Sequence, residues 1–190
     1  MKIFKFFPIL LCFALCANAD FISTDTPIMQ NGKEIGKILV LTPVEVLKTN
    51  ADKTLIKVKG AVLQNYLGAM QKSMSNAEIY INYNTEDTKN FKAIKDIEDD
   101  YGEIWHESEG EYEVSTSAIA KDIKELNKKA SELYETNCSA CHRLHEPNAF
   151  TAAQWPANLQ SMIDIGYVAI EPNYLSLITK FLQQNAKTNE

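Results

Sequence analysis

The sequence predicts an α+β chain in which a small β-barrel-like region, SH3-like in kind, is followed by an all-α domain. Three observations carry this reading. Between residues 20 and 114, short runs rich in valine, isoleucine and leucine alternate with polar turns. From residue 115 onward, apolar positions recur at three- and four-residue spacing instead. The helical part holds the string Cys138-Ser139-Ala140-Cys141-His142, with the only two cysteines outside the N-terminal apolar run.

The first element, residues 1–19, reads as a cleaved secretory signal peptide. Lys2 and Lys5 make a basic start, Phe6 to Cys16 is almost wholly apolar, and Ala17-Asn18-Ala19 gives an A-x-A site before Asp20. The apolar run is far shorter than the roughly 20 residues that span a bilayer. Leu15 stands before Cys16 where a lipoprotein anchor needs a small residue. The expectation is an exported, periplasmic protein with no stable membrane anchor. The chain carries 19 basic and 25 acidic residues, net −6, and losing Lys2 and Lys5 makes it more acidic. Such a balance argues against nucleic acid, whose phosphates are held by cationic side chains.

Residues 20–114 are expected to form the β-rich domain. Ile38-Leu39-Val40-Leu41, Val44 to Leu47 and Leu55 to Val58 read as short strands, with Asn50 to Lys53 as the turn between the last two. Ile79-Tyr80-Ile81, Glu103 to His106 and Glu111 to Val114 read as further strands. Leu63, Leu67, Met70 and Met74 fall at helical spacing and predict a short helix between strands. The acidic stretch from Glu98 through Glu113 reads as a solvated loop. The region shows no nucleophile, carboxylate–histidine cluster or phosphate loop, so its default role is docking or stabilisation.

Residues 115–190 are expected to form the helical domain. Ser115-Thr116-Ser117 offers N-cap chemistry, and Ile119, Ile123, Leu126, Ala130, Leu133 and Tyr134 follow as one apolar face running into Cys138. Glu171-Pro172-Asn173 opens a second helix whose apolar face is Tyr174, Leu177, Ile178, Phe181 and Leu182.

Three chemistries compete for the cysteine pair. A redox dithiol needs Cys-x-x-Cys at the start of a helix after a strand, whereas here a helix leads into the motif and His142 has no role. A zinc site from Cys138, Cys141, His142 and His145 crowds adjacent ligands and lacks the usual separation between cysteine and histidine pairs. Covalent haem uses every feature: two thiols three positions apart add to two vinyl groups, and the next residue, His142, is placed to bind the iron. One covalently bound haem c is therefore expected, attached at Cys138 and Cys141.

The second axial ligand decides function, because ligation sets haem potentials over about 0.8 V. His145 is three residues past His142 and reads as a surface or hydrogen-bonding histidine. His106, Met70 and Met74 belong to the β-rich region. Met162 lies in the helical region, twenty positions after His142, far enough to wrap around a ring edge. A thioether there raises the potential. An open or water-bound sixth position is the alternative. Taken alone, Trp155 reads as a core tryptophan.

The two helices bracketing the motif resemble the first and last helices of single-haem class I cytochromes c. The string CSACHRLHEPNAFTAAQWPANLQSM, followed by LITKFLQQNAK, resembles the C-terminal haem domain of pentahaem TorC-type cytochromes, with likeness running roughly from Tyr101 to Lys187. Those cytochromes serve periplasmic molybdenum reductases for trimethylamine N-oxide and related N- and S-oxides. The resemblance implies His142 and Met162 as axial ligands and Trp155 as a residue packed near the haem. It departs in holding one Cys-x-x-Cys-His string, so the quinol-oxidising role of the family's anchored multihaem part is not implied. The expectation is a monohaem electron carrier, not an enzyme, receiving electrons from an upstream quinol-linked cytochrome and passing them to such a reductase. Lys121, Lys124 and Lys128 on the lead-in helix are candidates for docking it. The alternative is a haem-based sensor or regulatory subunit with an exchangeable sixth ligand.

Overall fold

The computed structural model describes residues 20–140 and 142–188. The expected signal peptide at 1–19 and Cys141 lie outside the described residues. Ten strands are described: β1 (Asp20–Ile22), β2 (Thr26–Gln30), β3 (Lys33–Ile38), β4 (Pro43–Thr49), β5 (Lys53–Leu63), β6 (Tyr66–Ser73), β7 (Asn76–Tyr83), β8 (Lys92–Glu98), β9 (Ile104–Ser115) and β10 (Ile119–Ala120). Three α-helices follow: α1 (Lys124–Cys138), α2 (Gln154–Asp164) and α3 (Pro172–Gln184).

Six strands close into a ring. β5, β6, β7, β3, β2 and β9 pair in that order, and β9 returns to β5 along the whole of that strand, from Lys53↔Ser115 to Leu63↔Trp105. All these pairings are antiparallel. The β2–β3 hairpin turns on Asn31 and Gly32, both at positive φ (52° and 75°), the conformation that suits the twist of two tight antiparallel strands. Alternate residues of β5, such as Ile56, Val58 and Val62, are buried with Ile28, Met70 and Tyr112 in one core. The Tyr112 ring folds back over Gly110, where an added Cβ would run into its hydroxyl. That hydroxyl donates to the Asn90 carbonyl at 2.8 Å and stands 2.7 Å from the Tyr83 hydroxyl. Burial pushes the Tyr112 phenol up to about 12 and raises that of Tyr83 as well.

The expected fold class is corrected here. The chain is mostly β, with a closed six-strand barrel and three short helices, and the helices do not make a separate all-α domain of class I cytochrome type. Val40 and Leu41 from the β3–β4 turn pack with Ala130 of α1 and Leu177 of α3, so the helices bury part of their apolar surface against the barrel. The helix expected across Leu63 to Met74 is the end of β5, a tight turn at Gln64 and Asn65, and β6. Helical spacing of four apolar residues there coincides with strand alternation broken by register shifts. The stretch from Glu98 through Glu113 is a loop only at residues 99–103: β8 and β9 form a hairpin in which glutamates at 107, 109, 111 and 113 take outward positions while Ser108 and Tyr112 are buried. Ser115 to Ser117 cap no helix. The Thr116 hydroxyl lies 3.0 Å from that of Thr54, and Ile119 pairs with Ile22 of β1. Helix α1 begins only at Lys124, whose N–H is taken by the Asp122 carboxylate at 2.8 Å.

Candidate cofactor cavity

Leu126, Ala130, Leu133 and Tyr134 form the apolar stripe of α1. The same face ends at Cys138, the last residue of the helix, one turn after Tyr134. The chain then loops through His142 and turns into α2, where Gln154 reaches back to accept from the Thr151 N–H at 3.0 Å, as in a capping box. Trp155 and Leu159 of α2 are buried against Ile178 and Leu182 of α3.

Between these elements lies a cavity of about 520 Å³, within the ~300–1,000 Å³ of sites that hold small molecules and cofactors. Cys138, His142, Trp155 and Met162 all line it. Tyr134, Phe150, Leu159 and Ile170 supply much of the apolar remainder. The residues separated in sequence by a loop and a helix are thus brought to one wall-lined space.

The loop is fastened through its carbonyls. The Tyr134 hydroxyl donates to His145 O at 2.9 Å and the Trp155 indole donates to Pro147 O at 2.8 Å. The Gln183 amide donates to Ala152 O at 2.9 Å, and the Lys187 N–H donates to Phe150 O at 2.9 Å. The rings stack edge to face from Phe150 to Trp155 (4.9 Å) and from Trp155 to Tyr134 (6.0 Å). With their polar ends committed to the loop, Trp155 and Tyr134 serve the cavity as apolar wall.

His142 is solvent-exposed, and its Nδ1 lies 2.8 Å from the Arg143 carbonyl. A carbonyl only accepts, so Nδ1 is the donor of this bond and Nε2 is the ring nitrogen left to face a metal. Cys138 is half-buried, and burial pushes its thiol up. It also stands at a helix C-terminus, where the backbone dipole disfavours a thiolate. Both effects oppose the lowered pKa of a redox dithiol. Among the described residues, no three histidine, cysteine or carboxylate side chains are grouped to hold a metal ion.

The donor set fits a haem: Cys138 and Cys141 would hold it covalently, His142 would offer Nε2 to the iron, and Met162 is the thioether in the same cavity. The other candidates are placed differently. His145 lines the same cavity, exposed and with its ring against those of His142 and Phe150. His106 sits on β9 with Nδ1 2.6 Å from Asp96, Met70 is in the barrel core, and Met74 is in the β6–β7 turn. Sequence reasoning did not assign Tyr134 or Leu159 to the cavity. The signal for Tyr134 is its spacing, since a residue four before Cys138 shares its helical face.

Among the described residues, no helix is long and apolar enough to cross a membrane. No protein-family profile matches the chain. No solved structure matches it. A curated relative does: in an alignment 141 positions long that covers 69% of the chain, it is 27% identical to the cytochrome c-type protein TorY of Haemophilus influenzae, of which the alignment spans 38%.

Proposed function

We propose that this chain is a periplasmic monohaem cytochrome c that passes single electrons to a molybdenum reductase of N- or S-oxides, of the trimethylamine N-oxide or dimethyl sulfoxide type. The observation that carries the reading is the convergence of Cys138, His142 and Met162 on one apolar cavity. The distant likeness to TorY supports the cytochrome c assignment and the connection to a trimethylamine N-oxide system. Bound there through Cys138 and Cys141, a haem supplies a one-electron ferric–ferrous couple.

The chain's own residues do the rest. The Arg143 carbonyl engages Nδ1 of His142 and so leaves Nε2 as the nitrogen for a metal. Phe150, Trp155 and Leu159 line the cavity with apolar surface, and excluding water there favours a higher potential. Met162, which lines the same cavity, would offer its soft sulfur to the iron. The likeness to a cytochrome c-type protein supports an electron carrier, and its proposed place is between an upstream quinol-linked cytochrome and the reductase.

The test uses protein exported by a host that matures c-type cytochromes. Intact mass should show one haem per chain, and mixing reduced protein with the purified reductase and its N-oxide should reoxidise it rapidly. Bare polypeptide at full occupancy would remove the cytochrome reading, and slow reoxidation would remove the shuttle. Met162→Ala should lower the midpoint potential and open the iron to carbon monoxide. An unchanged spectrum would assign the second ligand to another residue, and strong carbon monoxide binding by the unaltered protein would favour a sensor.

A further inference from the structure

Away from the cavity, the chain buries a complete ion pair. Lys180 Nζ of α3 lies 2.6 Å from Glu78 Oε1 of β7, and both side chains are 1% exposed. The ammonium also donates to the Ile79 carbonyl at 2.8 Å and sits 4.8 Å from the centre of the Tyr80 ring. Glu78 Oε1 further accepts from Gln184 Nε2 at 3.0 Å, and Lys72 Nζ stands 3.6 Å from Oε2. A buried ion pair is weak evidence for stability, because apolar side chains of the same volume pack as well. Its best-attested use is to fix one register among several.

The surroundings point to that use. Ser176, Lys180 and Gln184 are spaced four apart and form one stripe of α3. Ser176 donates to Asp25 Oδ1 at 2.8 Å, and the same oxygen accepts from the Val40 N–H at 2.9 Å. Gln184 also donates to the Leu41 carbonyl at 3.1 Å. Leu41 is fully buried at φ +61°, a left-handed conformation that a leucine keeps only where its surroundings over-determine it. All three stripe residues therefore end on the barrel or on its β1–β2 and β3–β4 turns. A neighbouring stripe of α3, Ile178 and Leu182, packs with Trp155 and Leu159, which line the cavity.

We infer that the barrel is the register-setting scaffold of the cofactor cavity, and that Glu78 and Lys180 are positioning residues acting through α3 on the Trp155–Leu159 wall. This rests on the reading of the cavity as a haem site. A slip of α3 by one turn would keep its apolar face roughly inward but would leave two buried charges unmatched, so the pair admits one position for the helix. Glu78→Gln takes from the buried Lys180 ammonium its ion-pair partner, and Lys180→Met leaves the buried Glu78 carboxylate with only the half-exposed Lys72 beside it. The double variant removes both charges, and with them the device that fixes register.

The experiment uses the exported holoprotein. Each single variant should raise amide exchange across α2 and α3 at least about tenfold, broaden the ligand-sensitive absorption bands and change the one-electron equilibrium at least about threefold. In the double variant, exchange should return toward that of the unaltered protein while potential and spectrum stay altered. A merely structural pair would let all three recover together, and wild-type potential and bands in the double variant would overturn the inference. Where a single variant fails to fold, the double variant and Ser176→Ala carry the same readouts. If the unaltered chain proves to hold no haem, the proposed function fails by itself. Exchange at Trp155 to Leu159 in the variants then decides the scaffold role, and rates equal to those of the unaltered chain would overturn it.

Discussion

The barrel and the helical segment differ in how their interiors are filled. The barrel closes its sheet on itself and fills the centre with its own side chains, down to a tyrosine ring laid over a glycine. The helical segment surrounds about 520 Å³ of space with aromatic and aliphatic walls. The cavity is partly open to solvent and has the volume of a ligand site. On the haem reading proposed above, its walls would be completed by what they bind, whereas the barrel core is filled by the chain alone.

The sharpest break of that comparison removes the attachment point. Cys138→Ser with Cys141→Ser should abolish covalent haem, and amide protection should fall across the loop after α1 and across α2, while β5 and β9 keep theirs. Hydrogen exchange read by mass spectrometry checks this. Equal loss in both regions, or loss in neither, would mean that the two are filled alike.

The second break is made in the sealed region. Tyr112→Ala should destabilise the protein by about 3–5 kcal/mol, the usual range for deleting a large buried aromatic ring. It leaves a hole that nothing fills and strands the Tyr83 hydroxyl and the Asn90 carbonyl. Denaturant unfolding of the purified protein measures it. A cost below about 1 kcal/mol would show that the barrel core is as forgiving as a cavity.

What could be read from the sequence divides along the same line. Cys138 to His142 carries the haem expectation because covalent attachment needs those residue types at that local spacing. The start of α3 at Pro172 is equally local. The barrel's closure is not local: β9 pairs with β5 across some fifty residues, and nothing in either strand names the other. Asn31-Gly32 and Thr151-x-x-Gln154 are also local signals, of a hairpin and of a helix start, yet β2, β3 and α2 were not among the expected elements. Leu63, Leu67, Met70 and Met74 misled because four apolar residues at helical spacing also arise where strands carry bulges. Lys180 and Glu78 were beyond reach, since an isolated lysine and glutamate a hundred residues apart read as solvated charges until the fold buries them together.

A smaller effect follows from titration. Burial raises the Tyr112 phenol from 10.0 to about 12 in the folded chain. Between those values the unfolded chain releases a proton that the folded chain keeps. Stability should therefore be lost as pH rises from about 10 toward about 12, and Tyr112→Phe should flatten that part of the profile. An alkaline unfolding curve of the same slope in the variant would place the titrating group elsewhere.

The smallest change separates ring from hydroxyl at the cavity wall. Tyr134→Phe keeps the ring edge against Trp155 and deletes only the bond to the His145 carbonyl. The expected cost is about 0.5–1.5 kcal/mol, the net worth of one such bond, because a loop carbonyl released there can turn toward water. Exchange should quicken locally between His142 and Phe150 and nowhere in the barrel. The matching barrel change, Tyr83→Phe, takes away a partner of the buried Tyr112 hydroxyl, which has no solvent to turn to. It should cost more than Tyr134→Phe although each variant loses one oxygen atom. If the two costs came out equal, the distinction between a sealed interior and a walled cavity would have no energetic content at the level of single hydrogen bonds.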